Sequence, residues 1–240
     1  MKNFRNIFCY LSLIFIILNS CKKEYDSISK LIVTEEFDEV LVKSYFEIVL
    51  IQGNENSIRL EGKANKISKI DCQVEDSILT IKNLSKGVWM NPDKNKVKLY
   101  ITFKNLKKLN LNQSCQVSNQ GIIQGKELGI IFASKLNEAN LNLDYETVYY
   151  WNNFPCGGKL QLSGNSSTLK IWNFALMSVD AKNLVAKQVI IDNSSKGDCF
   201  VYASESIEYG IFGEGNIYLF GKPQYIHEKE KSIPGKLIIE

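Results

Sequence analysis

The sequence predicts an all-β protein built as a parallel β-helix, a solenoid of coils about twenty residues long, and three observations lead there. The first is a repeat. Between Leu109 and Pro223 a short strand, a polar turn and a second short strand recur, and aligning the copies pairs Leu109/Leu111, Ile130/Phe132, Val148/Tyr150, Leu169/Ile171, Val189/Ile191 and Ile207/Tyr209, with starts 21, 18, 21, 20 and 18 residues apart. The second is alternation, since each pair keeps the two-residue spacing that puts side chains on one face of a strand. The third is that no window sustains the i, i+3, i+4, i+7 pattern of an amphipathic helix. A coil of this length cannot bury its own apolar face. Stacking sets Leu109, Ile130, Val148, Leu169, Val189 and Ile207 above one another as a continuous core.

Taken in order, the chain opens on an export signal. In residues 1–20, Lys2 and Arg5 form a positive n-region and Ile7 to Leu18 an apolar h-region too short to span a bilayer comfortably. The segment ends in Leu18-Asn-Ser-Cys21, which resembles a bacterial lipobox, so Cys21 is the expected lipidation site and the mature N-terminus. Residues 21–30 read as a tether, with Lys22-Lys-Glu-Tyr-Asp-Ser-Ile-Ser29 as a solvated linker. This stretch also loosely resembles the charged segment after the lipidated cysteine of surface-exported Bacteroidetes lipoproteins. The localisation that follows is the cell envelope, as an outer-membrane lipoprotein on the periplasmic or the outer side.

A single domain follows, over residues 31–223. At 240 residues, with 45% hydrophobic and 23% charged residues, the chain is long enough for one sizeable core. A net charge of +3, with Lys and Glu interspersed, gives no basic stripe for nucleic acid. From Leu31 to Leu106 the strands are longer: Phe37–Val42, Phe46–Gly53, Ile58–Gly62, Ile70–Val74, Ile78–Ile81 and Val97–Thr102. They are expected to cap one end of the solenoid. Residues Leu84 to Lys96 hold Gly87, Trp89 and Pro92 without periodicity and read as an excursion loop. In the repeats, Gly213, Gly215 and Asn/Asp at 112, 192, 193 and 216 are expected to supply left-handed or turn conformations. Residues 224–240, with the run Glu228-Lys-Glu-Lys231, are expected to cover the other end or trail from it as a tail.

The blocks Phe37-x-x-Val40-x-Val42, Ile48-x-Leu50-x-x-Gly53, Val74-Glu-Asp-Ser-Ile-Leu-Thr-Ile81 and Val97-Lys-Leu-Tyr-Ile-Thr-Phe-Lys-Asn-Leu106 resemble, in that order, those of the head GIN domain family of auto-transporter adhesin-like lipoproteins of Bacteroidetes. The closing Gly213-Glu-Gly215-Asn216-Ile-Tyr-Leu-Phe-Gly221-Lys-Pro223 is similar to the family's terminal turn motif. The middle repeats depart from it, with Asn112-Gln-Ser-Cys115 and Trp172-Asn-Phe174 where the family usually carries Ser-Gly pairs. The resemblance covers roughly residues 35–223. It implies a right-handed parallel β-helix with no established enzymatic activity.

Searching the residues for chemistry returns little. Cys72, Cys115, Cys156 and Cys199 are far apart with no histidine beside them, which argues against zinc and leaves small buried thiols or one or two disulfides. No metal and no cofactor is expected. Asp144, Glu146 and Asp180 read as solvated turn residues, and His227 as part of a solvated tail. Gly213-Glu-Gly215 lacks the following helix a phosphate loop needs. The function that remains is a non-catalytic, membrane-anchored protein displaying a binding or adhesion surface. The alternative is a carbohydrate-active β-helix enzyme, a lyase or glycosidase, drawing its acids from distant coils. Period two turns Tyr149, Trp151 and Trp172 outward, and these three form the candidate patch for a glycan or protein partner.

Overall fold

The computed structural model describes residues 27–85, 96–152, 155–231 and 235–240, and among them the chain is almost wholly strand. Strands β2 (Glu39–Val42) and β3 (Phe46–Gln52) make one rung. Val40, Val42, Phe46, Ile48 and Leu50 are buried while the residues between them are partly open, as a half-buried strand requires. β2 pairs in parallel with β8 (Lys108–Leu111), and β3 with β9 (Cys115–Gln120). β8 and β9 pair in turn with β10 (Ile123–Phe132) and β11 (Leu136–Asn152). The parallel ladder then runs on through β12 (Gly157–Ser195), β13 (Cys199–Ile211) and β14 (Ile217–Phe220). β11 and β12 bend through corners and so serve two faces of the solenoid. A short third side pairs residues 123–125 with 143–145, and those with 164–166.

This parallel β-solenoid is the fold the repeat predicts, with one slip of register. Ile130 stands beside Leu109 as expected, but its partner on the next coil is Tyr150, not Val148. The stacked column is therefore Leu109, Ile130, Tyr150, Ile171, with Ile191 beside Tyr209 further on, and Val148 sits beside Leu128. A two-residue slip leaves every side chain on its own face, so alternation cannot detect it; only an odd slip would bury polar residues. Phe132 meets Tyr150 edge-on, with ring centroids 5.3 Å apart.

The solenoid also extends beyond the repeats at both ends. β2 and β3, expected among the capping strands, are themselves a rung in register with β8 and β9. After β3 the chain forms β4 (Ser57–Lys63), the one-turn helix α1 (Ala64–Ile67), β5 (Ile70–Glu75), β6 (Ile78–Asn83) and β7 (Lys98–Phe103). β6 lies parallel to β2 and β7 parallel to β3, so a segment later in sequence builds a rung on the N-terminal side of an earlier one. The strands outside it are antiparallel: β5 on β6, through a turn with positive φ at Asp76 and Ser77, and β4 on β7. β1 (Ser27–Val33) closes the edge antiparallel to β4.

Residues 27–30, read as the end of the tether, thus belong to a strand. Their side chains are exposed, so backbone pairing with residues 60–63 holds them and no burial pattern announces it. At the far end the chain does not trail off after Pro223. β15 (Tyr225–Lys231) and β16 (Leu237–Ile239) add one more parallel rung on β13 and β14, with His227 exposed in β15 opposite Glu208. The signal peptide, Cys21 and most of the tether lie outside the described residues, as do residues 86–95 of the excursion loop. No helix among the described residues is long and apolar enough to cross a membrane.

Corner chemistry differs from the expectation in a second way. Gly213 and Gly215 have no left-handed φ; a Cβ on either would stand 2.2 Å from the Ser195 carbonyl oxygen or 2.1 Å from that of Gly197, so close stacking of corners excludes side chains there. Gly221 does need its freedom, with φ of 90°. Asn193 is not a turn residue but a fully buried strand residue. Asp180 likewise lies in a strand, paired with Lys159 at 3.4 Å. Asp144 and Glu146 are solvated as expected, but within strand β11 and not in a turn.

Candidate functional site: an aromatic corner over an asparagine ladder

Where the face carrying Tyr150 and Ile171 turns its corner, neighbouring residues point opposite ways. Trp151 and Trp172 are register partners on adjacent coils and both face outward. The next residues, Asn152 and Asn173, face inward and are buried, followed on the next coil by Asn193. Asn152 Nδ2 donates to the Phe174 carbonyl at 2.8 Å, and its Oδ1 accepts the Phe174 N–H at 2.8 Å. Asn173 Nδ2 donates to the Met177 carbonyl at 2.9 Å and to Asn193 Oδ1 at 3.1 Å. Asn193 Nδ2 reaches the Gly215 carbonyl at 3.0 Å, while Asn193 Oδ1 accepts the Ser195 N–H at 3.2 Å. Asn152 and Asn193 thus each serve an N–H and a carbonyl of the corner backbone, while Asn173 shares the Met177 carbonyl with Ser195 Oγ, which donates to it at 2.8 Å.

That ladder positions an apolar stripe on the outside of the same corner. Trp151 is 43% exposed, Trp172 39%, Phe174 46% and Leu176 62%. With Phe212, the first three line an open groove of about 510 Å³ whose far wall carries Asp192 and Ser194. Asp192 is the groove's single carboxylate among the described residues, and Lys229 holds it at 2.6 Å. Tyr149, expected in this patch, lies elsewhere. Its ring folds over Gly129, where a Cβ would come within 2.3 Å of it, in the column that runs Glu39, Lys108, Gly129.

Sequence reading missed Phe174, Leu176 and Phe212. The signal was present: Trp172, Phe174 and Leu176 continue the outward parity with large apolar residues, where a solvated face would alternate to polar ones. The positive φ of Ala175, 66°, marks the bend that carries the stripe around the corner.

Among the described residues no cysteine lines the groove. The four described cysteines are free thiols. Burial pushes Cys115 and Cys199 up to about 12, and raises Cys156 as well. Cys156 and Cys199 accept hydrogen bonds from Asn152 and Asn173, at 3.2 and 3.3 Å. Among the described residues no group of three or more His, Cys, Asp or Glu side chains is placed to hold a metal ion. The closing motif is structural: Gly213 and Gly215 pack against the corner below, and Asn216 Oδ1 accepts the Lys236 N–H at 2.9 Å, tying the last two rungs together. Gly221 and Pro223 follow β14 into the last rung.

The class this defines is a β-solenoid that presents an outer surface. The chain belongs to the family described as "Putative auto-transporter adhesin, head GIN domain", whose model matches residues 36–223. A structure described as a putative adhesin from Bacteroides fragilis is similar over 90% of this chain and 97% of its own, with a TM-score of 0.76 at 19% identity. A putative lipid binding protein from Parabacteroides distasonis (TM-score 0.61) and a putative adhesin from Parabacteroides merdae (TM-score 0.60), each 15% identical, also cover 90% of the chain, which in turn covers 98% and 97% of theirs. At these identities the likeness establishes the fold. Curated proteins contain no significant match. Family membership supports an adhesion-like, non-catalytic protein of the cell envelope or surface.

Proposed function

We propose that the protein is held in the outer membrane by acyl chains on Cys21 and presents the corner stripe of Trp151, Trp172, Phe174 and Leu176 to a glycan or protein partner. The observation that carries this reading is the pair Trp151 and Trp172, in register on adjacent coils and facing water, continued along the second coil by Phe174 and Leu176. A row of that kind costs solubility and marks an interaction surface when it is contiguous. Indole faces suit the apolar side of a sugar ring or of a protein side chain. Enzymatic use finds less support, because the groove offers one lysine-paired carboxylate where hydrolysis or elimination needs two groups working across a substrate.

Two measurements test the two halves of the reading. The mass of the mature chain should begin at Cys21 with its acyl groups attached; an intact Met1, or an unlipidated start elsewhere, removes the anchor. Phe174→Ser and Leu176→Ser should lose binding to a glycan array or to whole cells at unchanged folding. Retained binding to every wild-type target would remove the stripe.

A further inference from the structure

The N-terminal end of the solenoid differs in character from the stripe. It is formed by β1 at the edge of one face, β5 at the edge of the other, and α1 between β4 and β5. Lys30 on β1, Lys63 at the end of β4 and Lys69 just after α1 are all exposed there. Of the carboxylates at this end, Asp71 pairs with Lys82 at 3.0 Å and Glu61 with Arg59, while Glu75 and Asp76 at the end of β5 and Glu35 just after β1 are exposed. Between the lysines, β1 carries Ile28, Leu31 and Val33, which are 42%, 63% and 75% exposed. An edge strand with open apolar side chains and lysines beside it is suited to an anionic interface.

Chain length says what that interface is. Cys21 precedes Ser27 by six residues, which span at most about 20 Å when fully extended. Resting on the lipid-anchor reading above, we propose that this end docks on the membrane. Lys30, Lys63 and Lys69 sit against the phosphates of anionic lipid headgroups, with β1 lying along the interface. The solenoid axis then carries the aromatic corner away from the bilayer. From β5 to β11 is five strand spacings along the ladder, or about 24 Å at 4.8 Å each, so the stripe clears the headgroups.

The test uses the full lipidated chain in vesicles of phosphatidylcholine alone and with added phosphatidylglycerol, read by hydrogen exchange. Residues 27–33 and 63–69 should exchange more slowly in the anionic vesicles, while β15 and β16 should be the same in both. Each lysine near an anionic surface is worth about fivefold in partition, so Lys30→Glu, Lys63→Glu and Lys69→Glu together should abolish the difference with the core strands still protected. Equal exchange in both vesicles, on a chain that stays with them, overturns the docking alone. A chain retained by neither overturns the anchor and the docking with it. Slowing of β1 that follows protein concentration and ignores lipid charge would assign the edge to a second copy, and also overturns it.

Discussion

One inward column changes its chemistry halfway along the solenoid. In the N-terminal rungs it reads Val42, Leu111, Phe132; in the C-terminal rungs Asn152, Asn173, Asn193, before Ile211 restores an apolar residue. The outward column beside it reads Leu41, Asn110 and Ile131, then Trp151 and Trp172, and closes on Asp192 and Gly210. Where the corner interior is dry, the chain fills it with aliphatic and aromatic volume. Where the interior holds asparagines, their amides bind corner backbone groups, and beside the first two of them an indole stands outside. The difference teaches that inside and outside are set by strand parity, whereas what stands inside is set by which backbone groups the corner leaves unpaired.

The largest effects should come from violating parity itself. Ile171→Lys and Val189→Lys each place an ammonium in the apolar interior, at a cost of several kcal/mol against a total stability of about 5–15 kcal/mol. Both should unfold the chain, while Lys170→Glu and Lys187→Glu should scarcely move the melting temperature. Equal melting across the four would erase the assignment of faces.

Next come substitutions that exchange the two interiors. Phe132→Ala should cost about 3–5 kcal/mol through lost burial and a cavity. Asn152→Leu makes the polar rung resemble the dry one, yet it should destabilise by about 1–3 kcal/mol, because the Phe174 N–H and carbonyl lose their partner. Denaturant melts measure both, and a stabilised Asn152→Leu chain would show that the ladder is incidental to the corner.

A smaller effect should appear with alkali. Burial raises Cys115 and Cys199 to about 12, against about 8.5 in an unfolded chain. Tyr209 is raised to about 12, by burial first and then by donating to Glu228 at 2.5 Å. Because the folded state holds these protons more tightly, their contribution is complete below the unfolded values and is lost as pH rises toward 12. Stability should thus fall progressively above about pH 8.5, and the Cys115 and Cys199 thiols should react with a thiol reagent only as fast as the chain opens. Rapid labelling of these two in the folded chain would contradict their burial.

Most of the architecture was legible in the sequence because period two and a twenty-residue repeat are consequences of stacking strands. The slip between Val148 and Tyr150 was not, since a shift by two preserves both signals. Of the ladder asparagines only Asn193 reads as a turn former in the sequence, and Asn152 and Asn173 carry no signal; their role depends on carbonyls such as that of Gly215, contributed by the following coil. Trp151 and Trp172 could be paired from their 21-residue spacing, whereas Tyr149 could not be separated from them, because its ring direction depends on Gly129 across the strand. The rung formed by β6 and β7 had no local signal, because nothing in a strand's sequence says on which side of an earlier rung it will stack.

The central claim is that adjacent residues at this corner divide the work, the asparagines holding the fold and the tryptophans meeting a partner. It is tested most directly by measuring stability and binding on one sample of a Trp151→Ala, Trp172→Ala chain. An exposed aromatic pair across strands contributes about 0.2–1 kcal/mol, so the melting transition should shift only slightly while binding to the glycan array or to cells disappears. A fall in stability of several kcal/mol, or full binding without the two indoles, would show that they serve packing and not recognition.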